Sequence, residues 1–333
     1  MGDIMKIYIN IPATPRGRSF ITDRIKNRLC TVGTAVFNET DKPLSGDAIK
    51  AAAKGCDVII TGWGQPRIYP RDIPDVKLIV HTGGTIGGIT DISVFDSGIT
   101  VISGNDYYAE SVAEGVVAYM LYALRRLGRF ERDMRNGIWK WDNYNEGLLD
   151  QSVGIISLGA ISKKLIPMLR VFTEDIRVYS THPDPATAYD MGFRYASIDE
   201  IFETCKIVSV HTASNAETYH MIKKDHFDLL QAGALFINTS RGAVIDEEAL
   251  IEALKDNRFS ALLDVYDKEP LPDDSPLRSF ENVYLPPHMA GPTFDRREKI
   301  TDALIDDIER FKNGITPRNI VTKEAAEKMT VVK

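Results

Sequence analysis

Polar side chains that can move protons or hold an anion follow several strand-like runs of this sequence. His288 comes after two prolines in VYLPPHMAGPT, and Glu269 lies in LLDVYDKEPLP, five residues after Asp264. Histidine titrates near neutrality and suits proton transfer, and a carboxylate on its far ring nitrogen fixes the tautomer and favours the protonated ring. Arg241, in FINTSRGAVIDEEAL, offers a planar fork that can bind a carboxylate through two hydrogen bonds. These residue types suit acid–base chemistry on a small carboxylic acid.

Each of these residues also has an ordinary structural interpretation when it is taken alone. Arg241 could pair on the surface with Asp246, which is predicted to cap the helix that follows. Glu269 could be a solvated loop charge, and Asp264 could hydrogen-bond a loop. His211 ends the run IVSVH, where a structural role and a place beside a bound nucleotide are both open.

The segment IISLGAISKK has the spacing of a dinucleotide-binding loop but carries two serines where that loop has glycines. In the G-x-G-x-x-G pattern between a strand and a helix, Ser157 and Ser162 take the first and third positions, and Gly159 keeps the middle one. The middle glycine lets the backbone approach a pyrophosphate, and the third lets the helix pack closely on the strand. We expect the turn to be adjusted at Ser157, to a conformation that serine tolerates. Alone, the segment could be an ordinary strand–turn–helix.

The helix that follows should offer free backbone amides to an anion. The residues expected at this end are Gly159, Ala160, Ile161 and Ser162. Lys163 and Lys164 add positive charge there, and Pro167 should kink or shorten the helix.

The next strand-like run, IRVYS, bears on the choice between NAD and NADP. It ends in Ser180-Thr181-His182, and Ser180 stands where NAD-specific nucleotide loops place an aspartate for the ribose hydroxyls. A carboxylate there would repel a 2′-phosphate, and none is present. NADP is therefore allowed, with these three residues as candidate contacts, and NAD stays possible.

The elements that must position these groups alternate between strand-like and helix-like segments. The strand candidates are short, rich in Val and Ile, and not alternating, which is typical of strands buried on both faces of a parallel sheet. The alternation predicts a doubly wound α/β fold. The candidates are 6–11, 57–61, 77–82, 153–157, 176–180, 207–211, 234–238, 261–265 and 283–285.

Two helix-like segments mark the predicted domain boundaries. Residues 109–126 are apolar nearly all round and predict a buried helix. Near the other end, an amphipathic helix is predicted, closed by Asn313-Gly314; its apolar positions are Ile300, Leu304, Ile308 and Phe311. We expect a discontinuous substrate domain, 1–103 with 292–333, and a dinucleotide-binding domain, 104–291.

Composition limits the class of protein and its partners. The chain has 333 residues, with 40 basic against 47 acidic side chains, a net charge of −7, which argues against nucleic acid or a membrane as partner. The three cysteines are widely spaced without a C-x-x-C pair, which predicts free thiols, no metal site and a cytoplasmic protein.

In combination, the segments resemble the D-isomer-specific 2-hydroxyacid dehydrogenase family over roughly residues 75–320. NTSRGAVIDEEALIEAL, LDVYDKEPL and PPHMAG are similar, in order and spacing, to three signatures of that family. SVAEGVVAYMLYALRR and MRNGIWKW resemble the helix and the G-x-W segment that precede its nucleotide loop.

The resemblance implies roles for individual residues. It makes His288 the acid/base, Glu269 its partner, Arg241 the clamp on the substrate carboxylate, and Asp264 an acceptor for the nicotinamide carboxamide. The loop HTGGT would lay backbone amides on the substrate carboxylate, although Thr85 departs from the family pattern. The remaining residues implied are Thr82, Gly83 and Gly84 for substrate, and His211, Thr212 and Thr239 for cofactor.

The resemblance also implies two Rossmann-like domains and hydride transfer between NAD or NADP and a small 2-oxo or D-2-hydroxy acid, such as glyoxylate or hydroxypyruvate. It implies a homodimer as well, with Trp139 and Trp141 in the segment that reaches the partner. Two alternatives stay open: a nucleotide-sensing protein without turnover, which the two serines favour, and a dehydrogenase of another small anion. Glu269, rather than glutamine, argues against the formate type.

Overall fold

Two compact units make up the chain, as seen in a computed structural model that describes residues 4–141 and 145–330. The first unit is Met1–Tyr108 with Pro292–Lys333, and the second is Ala109–Gly291. The first is therefore discontinuous in sequence. The roles predicted for the two parts of the chain, substrate binding and dinucleotide binding, stay predictions.

The first unit is built on a five-stranded parallel sheet with the strand order β2-β1-β3-β4-β5. The strands β1, β3 and β4 are almost wholly buried, since Val, Ile and Leu on both faces pack against helices. Their bounds are β1 Lys6–Ile9, β2 Thr34–Phe37, β3 Val58–Thr61, β4 Leu78–His81 and β5 Thr100–Ser103.

The second unit is built on a seven-stranded parallel sheet with the order β12-β11-β10-β9-β6-β7-β8. The strand order reverses at β6, between β9 and β7, and ligands of doubly wound sheets bind outside the carboxyl ends of the strands at such a point. The bounds are β6 Val153–Ile156, β7 Ile176–Tyr179, β8 Arg194–Tyr195, β9 Ile207–Val210, β10 Leu235–Asn238, β11 Ser260–Leu263 and β12 Val283–Tyr284.

Helices connect the strands in both units, as the alternation predicted, and the α/β fold class is confirmed. The helices are α1 Pro15–Phe20, α2 Asp23–Val32, α3 Gly46–Ala52, α4 Asn105–Leu124, α5 Leu127–Arg135, α6 Ala160–Leu169, α7 Pro185–Met191, α8 Ile198–Thr204, α9 Lys224–Leu229, α10 Glu247–Leu254, α11 Phe294–Lys312 and α12 Lys323–Glu327. Within the described ranges, none of them is long and apolar enough to cross a membrane.

All nine predicted strands are present, and three further strands were missed. The strands β2 and β8 are partly exposed along their length, so neither carries the continuous apolar run that marked the others. The strand β5 is buried but has only two apolar residues, Val101 and Ile102, between a threonine and a serine. Short runs of this kind give no periodic signal.

The two helices predicted at the boundaries form, with one correction. Helix α4 was predicted to be buried all round, but Glu114, Ala118 and Tyr122 form an exposed stripe at i, i+4 spacing. Because Ala and Tyr count as apolar, the sequence pattern did not reveal this exposed stripe. Helix α11 buries Ile300, Leu304 and Ile308 as predicted and half-buries Phe311. It ends at Lys312 and is followed by the C-cap Asn313 and by Gly314, whose φ is 69°.

Candidate active site

A histidine–carboxylate pair lies at the carboxyl end of the second sheet. His288 Nδ1 is 2.7 Å from Glu269 Oε2, and both side chains are partly exposed. His288 follows the edge strand β12 and has a φ of 57°, in the left-handed region. The other ring nitrogen, Nε2, has no partner among the described residues. The pair that the sequence predicted is thus formed, with one ring nitrogen left for proton exchange.

Asp264 anchors the loop that carries His288. Its Oδ1 accepts the Met289 amide at 2.7 Å, and its Oδ2 accepts the Ala290 amide at 2.9 Å. The Tyr119 hydroxyl donates to Oδ1 at 2.9 Å. Burial, together with the Asp264 charge, raises the pKa of Tyr119 well above its usual range, so this hydroxyl stays a donor.

These contacts bear on the nicotinamide role predicted for Asp264. The residue is only 1% exposed, and three internal donors already bind its carboxylate. The structure therefore gives Asp264 a positioning task, while its bond to a carboxamide stays a prediction. Sequence reasoning missed Tyr119, which lies within an apolar helix and is 145 residues from Asp264.

The charge of Glu269 is favoured by its surroundings. Burial alone would raise the pKa of this carboxyl, but the hydrogen bond and charge of His288, the Tyr266 amide and the charge of Arg241 outweigh it and lower the pKa. The Tyr266 amide donates to Glu269 Oε1 at 3.1 Å, and the Tyr266 hydroxyl donates to the carbonyl of Pro286 at 2.7 Å. Tyr266, also missed from the sequence, thus ties the Glu269 loop to the His288 loop.

Arg241 follows β10 in a turn that Asn238 holds together. The Asn238 side chain accepts from the Ser240 amide at 3.0 Å and donates to the Arg241 carbonyl at 3.1 Å. The Arg241 guanidinium donates to the Ser240 carbonyl at 2.6 Å. Burial lowers the pKa of Arg241, and the Glu269 charge acts in the opposite direction. The half-buried guanidinium of Arg241 is thus held near Glu269 and keeps further N–H donors for a ligand.

Gly242 lets the Arg241 loop approach the Glu269 loop. A Cβ on Gly242 would lie 2.0 Å from the carbonyl carbon of Tyr266 and 2.3 Å from the Asp267 nitrogen. Only glycine allows this contact between two backbones. Asp246 is the N-cap of helix α10, and its side chain accepts the Ala249 amide at 3.0 Å, which confirms the predicted cap.

The nucleotide-type loop connects β6 to α6. Ser157 has a φ of 84°, in the left-handed region that favours glycine. The expectation of a conformation that serine readily tolerates was therefore wrong, and an adjusted turn stays a prediction. The hydroxyl of buried Ser162 donates to the Ser157 carbonyl at 2.6 Å, and the Ser157 amide donates to the Tyr179 carbonyl at 3.0 Å. These two bonds hold Ser157 in a conformation that serine rarely takes.

The start of α6 fits a bound pyrophosphate. Gly159 is the N-cap and gives no side-chain cap to the first turn. A Cβ on Gly159 would meet nothing within 4 Å, so packing within the protein does not require glycine there. Open space in front of uncapped amides is what an approaching phosphate needs. The helix contains Pro167 and ends two residues later, at Leu169.

The residues predicted at the ribose lie beside this loop. Ser180 directly follows β7, the sheet neighbour of β6. Its hydroxyl accepts the His182 amide at 3.1 Å, and the Thr181 hydroxyl lies 2.8 Å from His182 Nδ1. Thr181 and His182 are exposed, so all three polar groups lie at the edge where a ribose is expected.

His211 and Thr239, both predicted to contact the cofactor, contact each other, and their cofactor roles stay predictions. The His211 ring bonds Ser209 at 2.9 Å and approaches the Thr239 hydroxyl at 3.4 Å, and both His211 and Thr239 are buried. Burial lowers the pKa of His211 to about 3, so the ring is neutral. This favours a structural role for His211. Thr212, the next residue, is half-buried, and its cofactor role stays a prediction.

The loop predicted to hold the substrate carboxylate lies in the first unit, after β4. Thr82 is buried and its hydroxyl donates to the Thr61 carbonyl at 3.2 Å. A Cβ on Gly83 would lie 2.2 Å from His81 Nε2, so the buried ring needs glycine there. Burial lowers the pKa of His81 to about 3. The contribution of Thr82, Gly83 and Gly84 to substrate binding stays a prediction.

Comparisons with known proteins point to the same family as the sequence motifs. A model of the D-isomer specific 2-hydroxyacid dehydrogenase NAD binding domain matches residues 117–290. A glyoxylate reductase of Korarchaeum cryptofilum is 27% identical over 296 residues, which cover 86% of this chain and 89% of that protein. A glyoxylate reductase of Thermofilum pendens is 32% identical over 68% of this chain and 69% of that protein. A putative D-isomer specific 2-hydroxyacid dehydrogenase structure from a Polaromonas species is 25% identical, with a TM-score of 0.77 and coverage of 96% of this chain and 100% of that one.

Proposed function

The chain belongs to the D-isomer specific 2-hydroxyacid dehydrogenase family, and on that premise we propose that it reduces a 2-oxo acid of the glyoxylate or hydroxypyruvate type to the D-2-hydroxy acid. It is an oxidoreductase that uses NAD or NADP. The observation that carries the proposal is the 2.7 Å pair of His288 and Glu269, held in the same unit as Arg241. The glyoxylate reductases among the relatives support a small substrate.

The three side chains divide the work on the substrate. Arg241 binds the carboxylate in a bidentate way and polarises the oxygen at C2, since its fork leaves donors free beside the Ser240 carbonyl. His288 gives a proton from Nε2 to the same oxygen, and Glu269 keeps the proton on Nδ1 and stabilises the charged ring. In the reverse direction, His288 takes the proton from the hydroxyl. Bound NADH or NADPH supplies the hydride that reaches C2.

This chain's own residues would hold the dinucleotide at the start of α6. The uncapped amides after Gly159 suit the pyrophosphate, and the open space at its Cα suits a close approach. The lack of an acid at Ser180 suits a ribose with or without a 2′-phosphate. The loop after β4 would add backbone amides for the substrate carboxylate.

The test is a panel of 2-oxo acids assayed with NADH and with NADPH, on the wild type, His288→Asn and a matched histidine variant. His226→Asn is the control, because His226 lies in the same unit but outside the site. We expect the wild type to turn over small 2-oxo acids. His288→Asn should reduce this turnover by at least ~100-fold, and His226→Asn should leave it unchanged. Full activity in His288→Asn, or no turnover of any 2-oxo acid, would contradict the proposal.

We also propose a cytoplasmic homodimer. Trp139 and Trp141 are 78% and 85% exposed, which is unusual for tryptophan and typical of a surface that another chain covers. Sedimentation at micromolar concentration should give a dimer, and Trp139→Ser with Trp141→Ser should shift it towards monomer. A wild-type monomer would contradict the proposal.

A further inference from the structure

A cluster of two aromatic and two cationic side chains lies in the first unit, after the carboxyl ends of its strands. Trp63 follows β3, and Tyr108 lies on the first turn of α4, after β5. The Trp63 indole donates to the Tyr108 hydroxyl at 3.0 Å. The guanidinium of Arg16 lies over the Trp63 ring, 5.6 Å from its centre. Trp63 is 37% exposed, so the cluster opens to solvent within this unit.

Arg297, on α11, is the second cation of this cluster. It donates to the Pro292 carbonyl at 3.2 Å and to the Ser19 hydroxyl at 3.4 Å. Its guanidinium lies over Phe20, 5.8 Å from the ring centre. These neutral partners hold the Arg297 side chain in place and do not compensate its positive charge.

Both arginines lack an acidic partner among the described residues, whereas Arg24 and Arg28 of the same unit each have one. Arg24 pairs with Glu298 and Arg28 with Asp302, each at 2.5 Å. No ion pair forms at Arg16 or Arg297 within residues 4–141 and 145–330. Two cations without an acid, stacked on aromatic rings, are an arrangement that binds anions.

The cluster is continuous with the loop predicted to hold the substrate carboxylate. A Cβ on Gly84 would lie 3.5 Å from the Cβ of Tyr108, and a Cβ on Gly62 would lie 3.4 Å from the Thr82 hydroxyl. Tyr108 therefore packs directly against this loop. A ligand whose carboxylate binds this loop would therefore lie next to Tyr108.

Tyr108 can act as a donor to such a ligand. Its hydroxyl oxygen accepts the indole N–H, and its own proton has no acceptor among the described residues. Burial raises the pKa of Tyr108 to about 12, although the charges of Arg16 and Arg297 act to lower it. Helix α1 brings the two arginines into one region, because it carries Arg16 as well as Ser19 and Phe20, the residues that Arg297 contacts.

We propose that Arg16, Arg297 and Tyr108 bind a second anionic group, a carboxylate or a phosphate, at the far end of the substrate's side chain. The inference rests on the proposed function, because it names the substrate class of the same reaction. A singly charged substrate such as glyoxylate leaves these donors without an acceptor. A 2-oxo acid with a terminal anion fills them, and charge-assisted bonds to guanidinium groups are among the strongest in proteins.

The test compares kcat/KM for oxaloacetate, 3-phosphohydroxypyruvate, hydroxypyruvate, 2-oxobutyrate and glyoxylate. We expect oxaloacetate to exceed 2-oxobutyrate, or 3-phosphohydroxypyruvate to exceed hydroxypyruvate, by ~10-fold or more, and the pair with the larger difference identifies carboxylate or phosphate as the better ligand. Arg16→Gln should reduce kcat/KM for that acid at least ~10-fold more than for glyoxylate. The Arg16 side chain is exposed and contacts the Trp63 ring, so the variant should fold.

The matched control is Arg71→Gln. Arg71 also lies over an aromatic ring in this unit, 4.6 Å from the centre of Tyr69, but belongs to another part of the surface. We expect unchanged selectivity in the control. A wild type that prefers the singly charged acids, or an Arg16→Gln variant with wild-type selectivity, would overturn the inference while the proposed reaction stands. Absence of turnover with every acid would instead contradict the proposed function.

Discussion

The Ser162 hydroxyl donates a 2.6 Å hydrogen bond to the carbonyl oxygen of Ser157, so the two serines that stand in glycine positions of the nucleotide-type loop are bonded to each other. Ser157 has a φ of 84°, in the left-handed region that favours glycine. Serine pays a steric cost there that glycine does not. The hydrogen bond from the Ser162 hydroxyl offsets this cost.

Removing the Ser162 hydroxyl should weaken dinucleotide binding. Ser162→Ala leaves the Ser157 carbonyl without this donor, and a neutral hydrogen bond of this kind contributes about 1 kcal/mol, which corresponds to roughly five-fold in affinity. Calorimetric titration with NADPH and NADH measures the change. Ser157→Gly is the matched control and should bind at least as well as the wild type. Unchanged affinity in Ser162→Ala would show that the bond does not support the loop.

Arg241→Lys should keep the fold but lose at least ~100-fold in kcat/KM, since a point charge cannot replace a bidentate fork. Steady-state kinetics with a turned-over 2-oxo acid measures the loss. Arg258→Lys is the control, because Arg258 lies in the same unit and its guanidinium bonds the Phe227 carbonyl at 2.8 Å. Near-normal turnover in Arg241→Lys would rule out the clamp role.

The pair of Glu269 and His288 predicts that the carboxylate supports proton transfer. Glu269→Gln should lower kcat/KM for reduction, because the amide no longer stabilises the charged ring that gives the proton. Steady-state kinetics with a turned-over 2-oxo acid measures the loss. An unchanged kcat/KM in Glu269→Gln would show that the two groups are not coupled.

The lowered pKa of Glu269 also predicts how the stability of the fold changes at low pH. A carboxyl whose pKa is lowered by folding contributes stability that is present above its ordinary value, about 4.3, and lost as the pH falls through the folded value. Glu269→Gln has no such group. Its unfolding free energy should therefore fall less steeply below about pH 4.3 than that of the wild type.

Buried His211 should destabilise the fold in mild acid. Its pKa is about 3 in the folded protein, below the ordinary value of about 6.5, so the unfolded chain binds one more proton between these values. Stability is lost as the pH falls below about 6.5, by up to ~1.4 kcal/mol per pH unit. His211→Asn should show a shallower fall in urea unfolding at pH 7, 6 and 5. Parallel curves would contradict a neutral buried ring.

The sequence predicted the residues that lie at strand ends and belong to a motif, because a short stretch of sequence is enough to recognise both features. Arg241, Glu269 and His288 were found in this way, and Asp246 by its helix-capping pattern. Contacts between distant segments gave no signal: Tyr119 meets Asp264 only in the folded chain, and Trp63 meets Tyr108 across 45 residues. The conformation of Ser157 was also predicted wrongly, since it depends on the bond from Ser162.

Restoring an acid at the end of β7 should select against NADP. Ser180 directly follows Tyr179, whose carbonyl accepts the Ser157 amide at 3.0 Å, so Ser180 and the nucleotide-type loop share one edge of the sheet. A carboxylate there repels a 2′-phosphate and accepts from the ribose hydroxyls of NAD. Ser180→Asp should therefore weaken NADPH by at least ~10-fold more than NADH in calorimetric titrations, and Ser180→Asn, of the same size but neutral, is the control. Equal effects of the two variants, or no effect of Ser180→Asp on either cofactor, would show that Ser180 does not lie at the ribose.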